Sequence, residues 1–144
     1  MILLRIFLIS LLTIALPAQA NERVSQTVTI SGELSYPSDY LPPLIVCAEA
    51  VNSKKIHCTG KRVPSRKNGK SIYNLKVPAG SYYVFATVAN GEEPAEDIVG
   101  YKAYYSEYVT CGLKVDCPSH NPVKVTVRAN QVLKGINPED WYAD

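Results

Sequence analysis

Hydrophobic and polar residues alternate with a period of two over several short segments of this chain. The pattern is clearest in residues 71–77 and 82–88, which flank the tripeptide Pro78-Ala79-Gly80. Alternation of this kind places the apolar side chains on one face of a β-strand, and a Pro-x-Gly tripeptide favours a tight turn. The two segments therefore predict a β-hairpin, and its apolar face requires a second sheet to cover it.

Further segments with apolar alternation or high β propensity predict the remaining strands. Gly32 occupies an inward position in the first of them, which predicts a β-bulge or a close approach of backbone. Residues 61–70 are polar and basic, and they predict a surface loop. The predicted strands are residues 26–35, 44–51, 55–60, 122–129 and 131–136.

One tyrosine-rich segment has features of both helix and strand. Its tyrosines recur with the spacing of a helix face, at Tyr101, Tyr104, Tyr105 and Tyr108. Tyrosine also has a high β propensity. We expect a short helix or helical turn near residues 97–105 and a strand over residues 106–111. The predicted fold class is all-β: a seven-stranded antiparallel Greek-key β-sandwich with one short helix.

Residues 1–20 have the composition of a signal peptide. Arg5 precedes an apolar run, and Ala18-Gln19-Ala20 supplies the small residues of a cleavage site. A run of about ten apolar residues is too short for a transmembrane helix, which needs about 20. We expect cleavage after Ala20, one mature domain over residues 21–144 without a membrane span, and a periplasmic or secreted location.

Four cysteines in an exported chain predict disulfide bonds, and three pairings are open to them. If residues 52–53 form a two-residue hairpin loop, Cys47 faces Cys58 across the two strands, within the distance that a disulfide bridges. The remaining pair is then Cys111 with Cys117, which closes a short loop.

A metal site is the alternative use of these sulfur atoms. Cys111, Cys117 and His120, with His57 as a fourth ligand, are of the types that zinc prefers. Their C-x5-C-x2-H spacing differs from that of standard structural zinc sites, and an oxidising compartment favours disulfide bonds. We therefore expect no bound metal.

A hydrolytic site is a further alternative. Asp116, His120 and Asp140 are candidate acid–base groups, and Ser119 is next to His120 in sequence. Proximity in sequence is no sign of triad geometry, because the members of a triad usually come from separate loops. The chain has neither a nucleophile elbow nor a Gly-rich phosphate loop. We expect no enzyme activity and no cofactor.

The formal net charge of +2 indicates neither a nucleic-acid partner nor a membrane surface. Cations are concentrated in loop 61–70, which is a candidate for binding an anionic partner. The loop lacks the interleaved aromatic residues that single-stranded nucleic acid needs. The candidate residues are Lys61, Arg62, Arg66 and Lys67.

Aromatic residues offer a second candidate surface. The chain has ten tyrosines, and tyrosine is common both in sandwich cores and at recognition surfaces. Trp141 and Tyr142 either pack back onto the core or form an exposed patch, with Tyr104 and Tyr108, that contacts sugar or a partner protein.

Four segments carry a resemblance to a known fold family. They are Thr29-Ile30-Ser31-Gly32-Glu33-Leu34, Pro43-Leu44-Ile45-Val46-Cys47-Ala48, Tyr73-x-Leu75-x-Val77-Pro78-Ala79-Gly80-x-Tyr82-x-Val84 and Val123-x-Val125-x-Val127. In this order they resemble the carboxypeptidase regulatory-like, or transthyretin-like, domains with a prealbumin-type β-sandwich, in a small exported bacterial subgroup. The resemblance implies a non-catalytic domain of the kind that accompanies peptidases, adhesins or outer-membrane receptors. We therefore expect a binding or structural module of the cell envelope, with an envelope protein or polysaccharide as its partner.

Overall fold

The computed structural model describes residues 27–38, 41–64, 70–89, 101–117 and 119–142. The predicted signal peptide, residues 1–20, lies outside them. Within the described residues the chain forms nine strands and one short helix, α1 (Glu107–Thr110). The strands are β1 (Thr27–Leu34), β2 (Leu44–Ala50), β3 (Ile56–Thr59), β4 (Arg62–Pro64), β5 (Ser71–Pro78), β6 (Gly80–Val88), β7 (Lys102–Tyr104), β8 (Val125–Val127) and β9 (Val132–Leu133).

The strands form two sheets. The first has the order β4-β5-β1-β9 and the second the order β3-β2-β6-β7, with β8 also paired to β6. Every pairing is antiparallel except that of β1 with β9, which is parallel. The expected all-β fold with two sheets is confirmed. The structure differs from seven antiparallel strands because short strands such as β4 and β9 extend the first sheet, and β9 joins it in parallel.

The hairpin predicted over residues 71–88 is wrong in its pairing. β5 pairs with β1 over eight residues of the first sheet, whereas β6 pairs with β2 over seven residues of the second. Ala79 alone joins the two strands, so the chain passes from one sheet to the other at this point. Both strands have long partners in opposite sheets, which leaves no ladder between them. Their apolar faces therefore oppose each other across the core.

The core lies between the two sheets. Buried and exposed residues alternate along the whole of β5, as the period-two pattern predicts. The largest fully buried side chains are those of Trp141, Tyr73 and Phe85. Phe85 belongs, with Ile45 and Cys47, to a second buried cluster, which lies on the outer face of the second sheet. The central strands of that sheet are thus apolar on both faces, and burial of this surface drives folding.

Helix and strand are reversed in the tyrosine-rich segment. Residues 102–104, expected to be helical, form β7 and bury Ala103 against β6, whereas residues 107–110, expected to be a strand, form α1. Ser106 explains the boundary, because its hydroxyl accepts a hydrogen bond from Val109 N and caps the helix. Tyr104 therefore lies in β7 and Tyr108 in α1, whereas Tyr101 and Tyr105 lie outside both elements. Residues 97–100 lie outside the described residues.

Three other boundaries differ from the predictions. Of residues 122–129 only the three residues of β8 form a strand, and of residues 131–136 only the two residues of β9 do so. Ala129, the last residue of the predicted strand 122–129, is exposed. The predicted loop 61–70 contains β4, which pairs with β5 at the edge of the first sheet. An edge strand tolerates charged residues, which explains its loop-like sequence.

The C-terminal segment, residues 132–142, crosses from the first sheet to the second. Ile136 donates its N–H to β1 and accepts, at its carbonyl, the hydroxyl of Tyr73 at 2.7 Å. Farther along, Asp140 forms an antiparallel bridge with Tyr104 on β7. A Cβ atom on Gly32 would overlap the Ile136 carbonyl group. The predicted close approach at Gly32 is confirmed, and the ladder of β1 with β5 runs through this residue without a bulge.

Replacing Gly32 by Ala is expected to lower the free energy of unfolding by about 1–3 kcal/mol, because the new methyl group meets backbone that cannot move aside cheaply. Chemical denaturation measures the change. Gly60→Ala is the matched control, since a Cβ there meets nothing within 4 Å. Equal stability of the two variants would contradict the close approach.

Tyr73 is expected to make stability fall above about pH 10. Burial, and to a smaller extent Tyr105, raise the pKa of Tyr73. The unfolded phenol therefore ionises while the folded one stays neutral, and stability is lost as pH rises, by about 1.4 kcal/mol per pH unit for one such group. Tyr73→Phe should reduce this slope between about pH 10 and 11. Val77→Ala, which only weakens the core, should leave the slope unchanged; an unaltered slope in Tyr73→Phe would refute the assignment.

Candidate functional site

A fully buried carboxylate, that of Asp140, lies at the centre of a polar cluster (0 % exposed). Ser106 Oγ donates to its Oδ2 at 2.6 Å, and His120 Nδ1 lies 2.9 Å from the same oxygen. Tyr142 N donates to Oδ1 at 3.3 Å. Because a carboxylate only accepts hydrogen bonds, the imidazole N–H is the donor to it. We call these four residues the Asp140 cluster.

Different elements position the members of the Asp140 cluster. Asp140 lies in the C-terminal segment, and two backbone hydrogen bonds of 3.2 Å join it to Tyr104 of β7. Ser106 is the N-cap of α1. His120 lies in the loop between α1 and β8, and a bridge between Ser106 and Pro122 holds the end of that loop beside the helix. The cluster therefore connects the C-terminal segment to α1 and to the loop that follows it.

The His120 ring is half exposed, in contrast to the carboxylate. Its side chain is 45 % exposed and packs against the Tyr108 ring, with centroids 4.5 Å apart. With Nδ1 donating to Asp140, the neutral ring carries its lone pair on Nε2. An imidazole held in this way can accept a proton or bind a metal ion through Nε2.

The arrangement of the cluster differs from that of a Ser-His-Asp triad. In a triad the histidine lies between the acid and the nucleophile. Here the carboxylate lies between Ser106 and His120. The Ser119 hydroxyl instead accepts a backbone N–H two residues further on, at 2.9 Å. Of the predicted acid–base set the structure joins His120 to Asp140, whereas Asp116 is exposed and forms no hydrogen bond with them in the described part of the chain.

Sequence reasoning missed Ser106 as a member of this site. The residue is 34 positions from Asp140, and the sequence predicts it as the first residue of a strand over 106–111. A local signal exists, because a serine followed by an acid, Glu107, in the first turn is typical of a helix start. That signal would have located the helix but not its contact with a residue so far along the chain.

Both predicted disulfide bonds are present: Cys47–Cys58 and Cys111–Cys117. Cys47 and Cys58 are register partners of β2 and β3, with Cα atoms 4.1 Å apart, as the hairpin numbering predicts. The bond between Cys111 and Cys117 overturns the zinc set that joined them to His120, because zinc binds thiolates. Among the residues that the structure describes, no group of three or more potential ligands is placed to hold a metal ion.

Residues 111–117, here named the disulfide loop, expose apolar side chains on a fixed backbone. Val115 is fully exposed, and Leu113 is exposed as well. Leu113 N nevertheless donates to Tyr108 O at 2.9 Å, and its φ of 59° is a left-handed conformation that few residues other than Gly adopt. The disulfide bond and this hydrogen bond together hold the loop against α1.

Trp141, a candidate for an exposed aromatic patch, lies in the core instead. It is 2 % exposed, and its Nε1 donates to Ser35 O at 2.9 Å. Its ring packs edge-on against Tyr36 at 4.9 Å and parallel to Tyr101 at 6.1 Å. Packing back onto the core was one of the two predicted outcomes, and apolar burial of so large a ring explains it.

The other three aromatic candidates differ in their exposure to solvent. Tyr104 is half-buried against Phe85, with ring centroids 5.6 Å apart, and burial raises its pKa. Tyr108 is half-buried against His120. Tyr142 is 63 % exposed. Of the four candidates for an exposed aromatic patch, only Tyr142 is therefore largely exposed.

The basic candidates are only partly within the described residues. Lys61 is exposed directly before β4, and Arg62 belongs to that strand. Arg66 and Lys67 lie outside the described residues. The structure therefore places the first half of the predicted basic loop at a sheet edge, where solvated cations are common.

Comparison with known proteins gives no family for this chain. No family model and no curated protein matches it. One solved structure that it resembles is a leucine-rich repeat protein from Bacteroides thetaiotaomicron VPI-5482, with 15% sequence identity and a TM-score of 0.38. The match covers 78% of this chain and only 13% of that chain, and likeness at this level carries no argument.

In the described ranges, no helix has both the length and the apolar character that crossing a membrane demands.

Replacing Asp140 by Ala is expected to lower the free energy of unfolding by about 3 kcal/mol, because the buried Ser106 hydroxyl loses its acceptor together with the other two donors. Urea denaturation followed by the fluorescence of Trp141, the one tryptophan of the chain, measures this loss. Asp116→Ala is the control, and it should change stability by less than about 0.5 kcal/mol. His120→Ala should cost less than Asp140→Ala, since its ring is half solvated. An Asp140 variant as stable as the control would show that the cluster does not hold the fold.

Proposed function

We infer that this protein is an exported, non-catalytic binding or structural module of the cell envelope, periplasmic or secreted. The observation that carries the proposal is the pair of disulfide bonds in a two-sheet β domain. Disulfide bonds persist in oxidising compartments and are rare in the cytosol. The signal-peptide composition of residues 1–20 points to the same location.

The geometry of the Asp140 cluster supports a structural role over a catalytic one. The carboxylate is buried, and its oxygens accept hydrogen bonds from separate parts of the chain. A catalytic acid or base must reach the proton that it transfers. The exposed His120 ring favours a second candidate, acid–base or hydrolytic chemistry. For that role, however, no described hydroxyl or thiol is hydrogen-bonded to Nε2.

We further propose that the fold is a Greek-key variant of the prealbumin-type sandwich that the sequence resembles. The order of the strands supports this. The chain places β1 in the first sheet, β2 and β3 in the second, β4 and β5 in the first, and β6 to β8 in the second, and it then returns as β9 beside β1. The antiparallel neighbour of β1 is β5, which follows only after β2 and β3 of the other sheet and β4. An antiparallel neighbour that comes so much later in the chain supports a Greek-key connection, and the parallel β9 is the departure from it. The Pro78-Ala79-Gly80 tripeptide, part of the resemblance, makes one of these crossings.

The disulfide loop supports the binding part of the proposal, with an envelope protein or polysaccharide as the partner. Leu113 and Val115 offer apolar contact area on a backbone that a disulfide bond already constrains. A constrained loop loses little conformational entropy when it binds.

Expression of residues 1–144 in a bacterial host tests the proposal. We expect the periplasmic or culture fraction to contain a protein with the mass of residues 21–144 and with all four cysteines paired. Cytosolic retention with free thiols would refute export.

The disulfide bonds should also carry measurable stability. Replacing both members of either pair, Cys47 with Cys58 or Cys111 with Cys117, by Ala should lower the free energy of unfolding by roughly 2–3 kcal/mol, because each bond restricts the unfolded chain. Denaturation of the wild type with and without reductant provides the comparison. Unchanged stability in both double variants would contradict a structural role for the bonds.

A further inference from the structure

A cleft of about 290 Å³ lies at one end of the second sheet and shares no residue with the Asp140 cluster. It is formed where the turn between β2 and β3 meets the one-residue link between β5 and β6. The strands on either side hold both connections in place. Loops positioned by a rigid sheet in this way are common locations for ligand sites.

The charge lining this cleft is positive. Two adjacent lysines have different surroundings: Lys54 Nζ pairs with Glu49 Oε1 at 3.1 Å, whereas Lys55 lines the cleft. In the ranges that the structure describes, Lys55 has no ion-pair partner. The described residues that line the cleft include no Asp or Glu. As far as the described residues go, an anionic group entering the cleft therefore meets an unpaired cation and no opposing carboxylate.

Neutral hydrogen-bonding groups surround Lys55 in the cleft. Ser53 Oγ accepts the Lys55 N–H at 3.4 Å, and the Asn52 amide lies in the same turn. The His57 ring packs edge-on against Tyr82 at 6.1 Å. Burial, and secondarily the charge of Lys55, lower the pKa of His57. The ring is therefore uncharged at neutral pH and presents one N–H donor and one acceptor.

We propose that this cleft binds a small polar molecule through its carboxylate group, with Lys55 as the cation that pairs with it. One lysine balances one negative charge, whereas a phosphate dianion is better matched by a second cation or by the fork of an arginine. The neighbouring amide, hydroxyl and imidazole groups suit hydroxyl or amide groups next to that carboxylate. Sugar acids and N-acylated amino acids both have this chemistry. The cleft is at the lower limit of ligand sites, about 300 Å³, so it accommodates one such unit.

This inference rests on the proposed binding function and adds a ligand class to it. It does not depend on the proposed export. Binding is measured on the purified protein and does not depend on export. Failure of the cleft to bind would leave the disulfide and localisation results unaffected, so the two proposals fail separately.

Titration followed by NMR of the histidine rings tests the site with glucuronate and with N-acetylalanine as probes. The chain has two histidines, so the His120 signals serve as an internal reference for those of His57. We expect at least one probe to shift the His57 signals and to leave those of His120 unchanged. The probe that binds distinguishes a sugar acid from an amino-acid carboxylate. Neutral glucose and inorganic sulfate should bind at least about tenfold more weakly than that probe.

The two adjacent lysines supply matched variants. Lys55→Gln removes the cleft cation with little change in length, and we expect it to weaken binding by at least about tenfold. Lys54→Gln removes the paired neighbour and should change affinity by less than about twofold. Equal binding by the two variants would overturn the proposal. So would sulfate or glucose binding as tightly as the better probe, or the absence of any His57 shift with both probes.

Discussion

The buried carboxylate of Asp140 is the group on which the arrangement of the C-terminal third of the chain depends. Placing a charge in the interior costs several kcal/mol unless hydrogen bonds satisfy it. Here the donors come from the cap of α1, from the loop before β8 and from the residue that follows Trp141. None of these parts belongs to a long strand ladder. Their hydrogen bonds to Asp140 are therefore a main source of their positions. Their positions are therefore mutually dependent.

The same C-terminal segment closes the sandwich over β1. Ile136 accepts the Tyr73 hydroxyl and lies directly against Gly32, where no side chain intervenes. Lys70 reinforces the contact electrostatically, since its Nζ lies 3.1 Å from Glu33 and 3.6 Å from Glu139. Hydrogen bonding to Glu33 is the main cause that raises the pKa of Lys70. Packing, a hydrogen bond and ion pairs thus join β1 and β5 of the first sheet to residues 136–139 of the C-terminal segment.

The functional proposals use turns and loops, and the sheets supply the frame that holds them. The disulfide loop displays apolar side chains because a covalent bond and the Asp140 cluster hold its base. The cleft at Lys55 exists because the one-residue link at Ala79 brings the ends of β5 and β6 against the β2–β3 turn. Surface connections on a rigid scaffold can carry recognition without a catalytic centre, which fits a binding or structural module.

Local regularities in the sequence predict the all-β class, most strand positions and the pairing of Cys47 with Cys58, and at Gly32 they leave a bulge and a close approach of backbone as alternatives. These follow from alternation within a strand and from counting outward from one turn, and both involve near neighbours. His120 and Asp140 were each recognisable as polar candidates, but their contact and the part played by Ser106 were not. Only the folded chain shows those contacts, the positions of Tyr104 in β7 and Tyr108 in α1, and the separation of β5 from β6. The reason is physical: alternation within a strand fixes which of its faces is apolar, whereas its hydrogen-bonding partner is a strand far away in the chain, here β1 for β5 and β2 for β6.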